Sequence, residues 1–360
     1  MIPIGKIEPP HEFVFFFAGV DKKTMAGHRI KSILFNVPHH TQTKRSLTLS
    51  RELVKSSSAK YVMLDSGGFE LLGAEKKRLA ISHDPNAPIR QRGKFNITPE
   101  HVIEAAQNLK PDIVVALDYP IKTLKEEQER EKEFQSKLKF NVKWAIRTAE
   151  LREKYCPEMK LFIPVQCYDL RQVDIFFKRI KGINYDGVSM PVRNLGQRGI
   201  LSFLMRFHEM GIRRVHLLGT ASFYTIVLCA YMAKHYFDWI SLDARSWGIL
   251  AEKLKYLNPN LTTTQIADHG VGRIGKAECK CLICREKTYS EMKGLSYKER
   301  GAFLRNVLWV HNRWATEKAL KDSFKNSRSL SSLTRFLKKR SSTKWKIREV
   351  CESLATIVNP

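Results

Sequence analysis

Three aspartates stand where short apolar runs end, at Asp65, Asp118 and Asp243. The runs are "YVMLDS" (61–66), "DIVVALD" (112–118) and "DWISLD" (238–243), each rich in β-branched or aromatic residues. Carboxylates at strand ends can attack as nucleophiles, transfer protons or accept hydrogen bonds from a ligand. Three further runs of this kind end in an amide or contain a glycine, at Gln166, Gly187 and Gly219. We take these six positions as candidates for one site.

The segment "LDSGGFE" (64–70) places Ser66, Gly67 and Gly68 directly after Asp65. Glycine has no side chain, so the backbone there can approach a flat ligand closely. Two more acids, Asp169 and Asp238, lie near the candidate positions, and Asp238 remains an alternative to Asp243 as the reacting carboxylate.

Three cysteines, Cys279, Cys281 and Cys284, fall within "ECKCLICREK" (278–287). Thiolates this close together repel one another unless a cation neutralises them, so structural zinc, an iron–sulfur ligand set and chance clustering are the interpretations. Tetrahedral zinc needs four ligands, and His311, in a helical stretch, is the candidate fourth. Four protein ligands leave no open position, so such a zinc would be structural.

A glycine-rich segment, "GVGRIGKA" (270–277), precedes the cysteines and nearly fits a phosphate-binding loop. Ala277 stands where a hydroxyl should hold magnesium, and no predicted strand presents the turn. We therefore expect a flexible approach to the metal loop there rather than a nucleotide site.

The elements that must position these residues alternate along the chain. Eight runs are predicted strands, at 13–19, 32–37, 61–66, 112–118, 161–166, 185–190, 213–219 and 238–243. Amphipathic helical stretches lie between many of them, which predicts parallel pairing and favours a (β/α)₈ TIM barrel, an α/β fold, over an open sheet. Residues 74–96 read as an irregular basic insertion. We predict a catalytic barrel (1–265), a zinc-binding subdomain packed on it (266–320) and a basic C-terminal tail (321–360).

Charge is the strongest signal in the composition. The chain has 62 Lys and Arg against 36 Asp and Glu, a net charge of +26, which indicates a polyanionic partner and favours nucleic acid. No apolar run is long enough for a membrane span, and the N-terminus has no secretory pattern. Seven cysteines suit a reducing compartment, so we expect a cytoplasmic protein of a bacterial cell or of a phage-infected host.

The tail has ten Lys or Arg and one acid between Lys321 and Arg348. A solvated, partly disordered end and a nucleic-acid-binding segment are both compatible with this composition. In the second case Phe336 and Trp345 would pack on the nucleic acid.

In order from about residue 61 to 320, these motifs resemble the guanine transglycosylases. These are zinc-containing (β/α)₈ pentosyltransferases that exchange a guanine in nucleic acid for a 7-deazaguanine. "LDSGGFE" is similar to the family's Asp-Ser-Gly-Gly-Phe/Tyr-Gln signature, and "ISLDARSW" to the strand that carries its nucleophilic Asp. "VALDYP", "PVQC", "YDGVSM" and "HLLGT" resemble its base-reading strand ends. Cys-x-Cys-x-x-Cys followed by His311 and Asn312 is similar to its zinc site.

The resemblance implies a role for each candidate residue. Asp243 is the expected nucleophile, because base exchange without energy input requires a covalent glycosyl carrier. Asp65 is expected to transfer protons to and from the exchanging bases. Substrate binding falls to Ser66, Gly67, Asp118, Gln166, Gly187 and Gly219. One structural Zn²⁺ per chain is expected on Cys279, Cys281, Cys284 and His311.

Three departures from the family pattern bear on the substrate. Glu70 replaces the usual Gln, Cys167 follows Gln166 where a Gly is usual, and "ARSWGIL" after Asp243 replaces Pro-Thr-Arg and its tRNA-gripping basic run. Nor does the sequence show an appended RNA-binding domain of the archaeal kind. These features resemble the DNA-acting branch, so we expect DNA and a free 7-deazaguanine base of the preQ0 type as partners. The alternatives are tRNA exchange and a non-catalytic nucleic-acid-binding barrel. A homodimer and helper proteins are compatible with either substrate.

Overall fold

The protein is described from a computed structural model. It covers residues 11–20, 30–41, 43–57, 59–258, 260–265, 281, 297–341 and 343–358. All statements on structure concern these residues.

Eight parallel strands form a closed barrel, which confirms the predicted (β/α)₈ fold. The barrel strands are β1 (Glu12–Ala18), β2 (Ser32–Asn36), β3 (Tyr61–Asp65), β7 (Ile113–Val115), β8 (Lys160–Pro164), β9 (Gly187–Pro191), β10 (Arg214–Leu218) and β11 (Trp239–Ala244). Around the barrel they follow the order β1-β11-β10-β9-β8-β7-β3-β2, and β2 pairs with β1 to close it. Each corresponds to one of the predicted apolar runs.

Large side chains fill the inside of the barrel. Phe16, Met63, Phe162 and Trp239 belong to one buried cluster that is separate from the larger core between strands and helices. Successive strand residues point to opposite faces, so one alternate set fills the barrel and the other packs against the helices. A filled barrel has no through-channel, which leaves the ends of the strands as the place for a ligand.

Helices surround the barrel and cover its outer face. Their bounds are α1 (Val37–His40), α2 (Lys44–Ser57), α3 (Phe69–Lys76), α4 (Pro99–Leu109), α5 (Glu127–Tyr155), α6 (Leu170–Arg179), α7 (Gln197–Glu209), α8 (Phe223–His235), α9 (Ser246–Glu252), α10 (Tyr297–Asn326), α11 (Leu330–Arg340) and α12 (Lys344–Val358). Thr98 caps α4, and its hydroxyl accepts the backbone N–H of His101. Among the described residues, no helix is long and apolar enough to cross a membrane.

The segment after α3 is more ordered than the sequence indicated. The prediction of an irregular insertion at 74–96 is wrong, because α3 continues into it and a small three-stranded sheet follows: β4 (Ala80–Ser82), β5 (Arg90–Gln91) and β6 (Lys94–Asn96). Its strands have only two or three residues, too few for an alternating pattern to be visible in the sequence. Asn96 holds the connecting loop by donating two 2.7 Å hydrogen bonds, to the carbonyls of Asp84 and Ala87.

Helix α10 joins the C-terminal part of the chain to the barrel. It packs on α8, α9 and β1, and on β12 (Lys255–Leu257), which pairs with β13 (Thr263–Gln265). Asn312, fully buried on α10, makes three hydrogen bonds to backbone groups before and within β12. The helix also runs through residue 320 without a break.

Helices α11 and α12 show that much of the basic tail is folded. They pack on each other through Leu333, Leu337, Val350 and Leu354, all buried, and α12 also packs on α7 and α8. Phe336 is buried against Phe223 at a ring distance of 6.0 Å, so it is not available to a nucleic acid. The structure therefore contradicts both a disordered end over these helices and the predicted surface role of Phe336.

Replacing Asn312 should loosen the contact between α10 and the barrel. Its side chain accepts from Leu257 N–H at 3.0 Å and donates to the carbonyls of Lys255 and Trp247 at 3.0 and 3.2 Å. Asn312→Ala should lower the free energy of unfolding by roughly 2–4 kcal/mol, since it leaves buried backbone groups without partners. Urea unfolding measures this effect. Gln107→Ala, on the exposed face of α4, is the control, and an equally small change in both variants would contradict the anchoring role.

Candidate active site

A cavity of about 1050 Å³ opens at the C-terminal ends of the barrel strands. Five of the predicted site residues line it: Asp65, Asp118, Gln166, Gly219 and Asp243. They come from five different strands or the turns that follow them, because the carboxyl ends of all barrel strands meet at one face. A space of this size accepts a base with part of its sugar and phosphate.

Asp243, 8% exposed, is held at its Oδ1 atom. This oxygen accepts the Gly219 N–H at 2.7 Å and lies 3.3 Å from Nε2 of His216. Gly219 has a φ of +73°, a conformation that favours glycine, and its N–H points to the carboxylate. Asp243 is thus fixed by the neighbouring strand at the bottom of the cavity.

His216 is completely buried in the barrel beneath Asp243. Its Nδ1 lies 2.9 Å from the hydroxyl of Ser241, which in turn accepts the indole N–H of Trp239 at 3.0 Å. Because the Ser241 hydroxyl accepts from Trp239, its own hydrogen can be donated to Nδ1, and Nε2 is the ring nitrogen on the side of Asp243. This polar chain connects the barrel interior to the cavity.

Asp65 has the electrostatic environment of a proton-transfer group. Its Oδ2 accepts hydrogen bonds from Asn36 Nδ2 at 3.0 Å and from the Gly67 N–H at 3.3 Å. Burial and the nearby negative charge of Asp243 nevertheless raise the pKa of Asp65 to about 6. A carboxyl group with this pKa can both donate and accept a proton near neutral pH.

Asp118 lies deeper, between Ser66 and Gln166. The Ser66 hydroxyl donates to its Oδ1 at 3.2 Å, and the Gln166 side-chain amide donates to its Oδ2. Burial, followed by the charge of Asp65, raises the pKa of Asp118 to about 7. The carbonyl oxygen of Gln166 accepts the Ile121 N–H at 3.3 Å, which fixes the orientation of the amide.

The two glycines after Ser66 are required by close packing. Gly67 has a φ of +80°, and a Cβ there would lie 2.2 Å from Cδ of Pro38. A Cβ on Gly68 would lie 2.2 Å from both the backbone oxygen and Oδ1 of Asp118. Neither Ser66 nor Gly67 lines the cavity, so the segment serves to hold Asp65 and Asp118 in place rather than to contact a ligand through these residues.

The structure adds cavity residues that the sequence did not single out. Phe69, 62% exposed, lines the cavity, and the Arg193 guanidinium lies 5.2 Å from its ring centre. Arg245 also lines the cavity, directly after the strand that carries Asp243. An aromatic residue directly after two glycines was the available signal for Phe69, whereas Arg193 stands in an irregular segment with no such signal.

Other candidate residues lie elsewhere. Gly187 is the first residue of β9, at the opposite end of the barrel, and a Cβ there would lie 2.8 Å from the Phe162 ring. Its predicted place at a strand's carboxyl end is wrong, because the strand continues to Pro191, which does line the cavity. Asp238 precedes β11 at that same opposite end, and Asp169 caps α6 by accepting the Gln172 N–H at 2.8 Å.

Of the four predicted zinc ligands, the structure describes Cys281 and His311. Both are buried, and Sγ of Cys281 lies 3.7 Å from Nδ1 of His311. The other ring nitrogen, Nε2, lies 2.9 Å from the Leu257 carbonyl oxygen. Cys279, Cys284 and the glycine-rich segment 270–277 lie outside the described residues. Within those residues, no group of three or more His, Cys, Asp or Glu side chains could hold a metal ion.

Residues 15–199 match the family model of queuine tRNA-ribosyltransferase. The chain belongs to this family. Its members are guanine transglycosylases, so the protein is assigned to the pentosyltransferase class of enzymes that act on nucleic acids. The matched segment contains Asp65, Asp118 and Gln166 and ends before Gly219 and Asp243. No curated protein matches the chain.

Glu70, which departs from the family pattern, is paired with two basic side chains at the cavity. The Glu70 carboxylate, at the cavity wall, lies 2.9 Å from His39 Nε2 and 3.2 Å from the Arg90 guanidinium. The hydrogen bond from His39 lowers the pKa of Glu70, so this side chain stays charged where the family usually has a neutral amide. Cys167, the other departure near the site, is buried and does not line the cavity.

The raised pKa of Asp65 predicts how stability changes with pH. The folded state holds this proton more tightly than the unfolded chain, whose value is near 3.8, so ionisation of Asp65 lowers stability as pH rises from about 4 to above 6. Asp65→Asn keeps the size and cannot ionise. The free energy of unfolding of the variant, relative to that of wild type, should therefore increase across this pH range and stay constant above it. Urea unfolding from pH 4 to pH 8 measures it, and an advantage that shrinks as pH rises would contradict the assignment.

Proposed function

We propose that this family member is a DNA-guanine transglycosylase that replaces guanine in DNA with a 7-deazaguanine base of the preQ0 type. The observation that carries the proposal is the pair Asp65 and Asp243 in one cavity, close enough for the charge of one to raise the pKa of the other. Two carboxylates of unlike environment at one reacting centre are the arrangement needed for covalent exchange at a sugar carbon.

In the first half-reaction, a carboxylate oxygen of Asp243 attacks C1′ of the target nucleotide. The bond from C1′ to the guanine nitrogen breaks, its electrons go to the base, and protonated Asp65 supplies a proton to the departing guanine. In the second half-reaction, Asp65 removes the ring proton of the incoming base. That nitrogen then attacks C1′ and releases Asp243. The Gly219 N–H and His216 hold Asp243 in position through both steps.

Asp118, Gln166 and Phe69 supply recognition of the base. The Asp118 carboxylate would accept hydrogen bonds from the N1–H and 2-amino group of guanine, and the Gln166 amide would read its carbonyl. Both side chains are nearly fully buried and held by protein partners, so a base without matching groups would leave their remaining hydrogen-bonding positions unused at a cost in affinity. The exposed ring of Phe69 gives the base a surface to stack on.

The segment after Asp243 supports DNA over tRNA as the substrate. In place of Pro-Thr-Arg and a basic run, residues 246–252 form the short helix α9. Trp247 is buried on the barrel, and its indole N–H lies 3.3 Å from the Ala18 carbonyl oxygen. Arg193 and Arg245 line the cavity, and in this proposal they would contact phosphates of a nucleotide that is flipped out of a duplex or presented single-stranded.

A structural zinc fits the residues that the structure describes. Because Nε2 of His311 faces the Leu257 carbonyl oxygen, it would carry the proton, and the unprotonated Nδ1, on the side of Cys281, would be the metal-binding nitrogen. With Cys279 and Cys284 these two residues would complete a closed, four-ligand set. The metal would stabilise the link between α10 and the β12–β13 pair, and it has no part in the base exchange.

The proposed nucleophile can be tested by trapping its covalent intermediate. Wild-type protein incubated with guanine-containing DNA, without an incoming base, should accumulate a protein–DNA adduct, and with radiolabelled guanine it should incorporate label into DNA. Asp243→Asn should bind DNA but form no adduct and incorporate no detectable label, because an amide is a poor nucleophile. Denaturing gel electrophoresis measures the adduct and scintillation counting measures the exchange.

Asp238→Asn is the matched control, since Asp238 lies at the far end of the same strand and should keep activity. Exchange by Asp243→Asn would contradict the mechanism. Label entering tRNA rather than DNA would favour the tRNA alternative, and no exchange into either would favour a non-catalytic binding protein.

Zinc content tests the proposed metal site. The purified protein should contain one zinc per chain, and Cys279→Ser or His311→Ala should lose the metal and unfold at lower temperature, since structural zinc contributes to folding. Cys351→Ser, on α12, should retain both metal and stability. Elemental analysis that finds iron, or no zinc, in freshly purified wild type would contradict the site.

A further inference from the structure

The surface at the start of α12 carries an aromatic residue among cations. Trp345 is 64% exposed, the highest value among the large hydrophobic side chains that the structure describes. Lys344 beside it is exposed, and Nζ of Lys346 lies 5.3 Å from the indole ring. Exposing most of an indole gives up the stabilisation that its burial would provide, so this position calls for an explanation other than folding.

This surface lies at the same end of the barrel as the catalytic cavity. Lys346 also sits over the ring of Tyr224, at 5.2 Å, and the Tyr224 hydroxyl lies 2.5 Å from the hydroxyl of Ser341. Tyr224 is in the first turn of α8, two residues after Ser222, which lines the cavity. The contacts of Tyr224 thus fix Trp345 at the same end of the barrel as Asp243.

The chain segment that carries Trp345 is rich in cations. Residues 338–348, "KKRSSTKWKIR", contain six Lys or Arg and no acid, and they include the end of α11 and the start of α12. Arg340 is paired with Asp322 at 3.3 Å, while Lys338 and Lys339 precede it in the last turn of α11. A partner that matches both features must have repeated negative charge and flat aromatic faces, and an unpaired nucleic acid strand has both.

We propose that Trp345 binds an unpaired nucleotide of the substrate strand while a neighbouring base of that strand occupies the catalytic cavity. The same surface includes Lys344, Lys346 and the last turn of α11, Lys338–Arg340. The inference rests on the proposed action on a displaced nucleotide, because displacement removes a base from the stack and exposes the faces of its neighbours. The indole stacks on one of those faces, and the lysines contact the adjacent phosphates.

Substitution of Trp345 in the full-length protein tests this surface. Binding of a fluorescein-labelled, single-stranded, guanine-containing DNA oligonucleotide is followed by fluorescence anisotropy without an incoming base. Trp345→Ala should raise Kd about fivefold to a hundredfold, the range for loss of one base–aromatic stack, and Trp345→Phe should recover most of the affinity. Because the side chain is exposed, both variants should show the circular dichroism and thermal unfolding of wild type.

Tyr155→Ala is the matched control. Tyr155 is 48% exposed, and Nζ of Lys154 lies 5.0 Å from its ring, so the two form an exposed aromatic–lysine pair like that of Trp345 and Lys346. Tyr155 is the last residue of α5 and therefore lies at the opposite end of the barrel. Its Kd should equal that of wild type. An unchanged Kd for Trp345→Ala, or an equal loss for Tyr155→Ala, would overturn the proposal. The binding measurement needs no turnover. If the wild-type protein binds DNA through Trp345 but exchanges no base, the proposed function is rejected and the proposed binding surface stands.

Discussion

The site depends on the burial of three carboxyl groups at one end of a filled barrel. Asp65, Asp118 and Asp243 lie together where water is largely excluded, and each ionised group makes ionisation of the next less favourable. The fold tolerates them because each carboxyl group has fixed donors: a side-chain amide and a backbone N–H for Asp65, a hydroxyl and an amide for Asp118, and the Gly219 N–H for Asp243. This arrangement costs stability, and it raises the pKa of Asp65 and of Asp118 so that these two groups can hold or release a proton near neutral pH.

The barrel supplies the rigidity that this arrangement needs. Phe16, Met63 and Phe162 fill the interior below the acids, so the strands cannot move together and the strand ends keep their spacing. The polar chain from Trp239 through Ser241 and His216 to Asp243 extends this support into the site. Gly67 and Gly68 let the turn after β3 pass so close to Pro38 and Asp118 that a side chain would not fit.

The C-terminal helices extend the same end of the molecule. Helix α10 is anchored to β12 by Asn312, and α12 packs on α7 and α8, while Phe336 of α11 contacts Phe223 at the start of α8, next to Ser222 in the cavity wall. The ten basic residues between Lys321 and Arg348 therefore do not form a separate tail. Part of them lies next to the site, where attraction of a nucleic acid and positioning of its reacting nucleotide can act together.

The sequence by itself determined the eight barrel strands and the residues Asp65, Asp118, Gln166, Gly219 and Asp243, because strand runs are local patterns and the carboxyl ends of parallel strands must meet at one face. It could not place Gly187 correctly, because the run it belongs to continues for four residues beyond it, and only pairing with β10 shows where the strand ends. The small sheet after α3, the burial of Phe336 and the exposure of Trp345 were also decided by the tertiary structure. Which side of a short strand or a basic helix is buried depends on residues far away in the chain, and a local pattern contains no record of them.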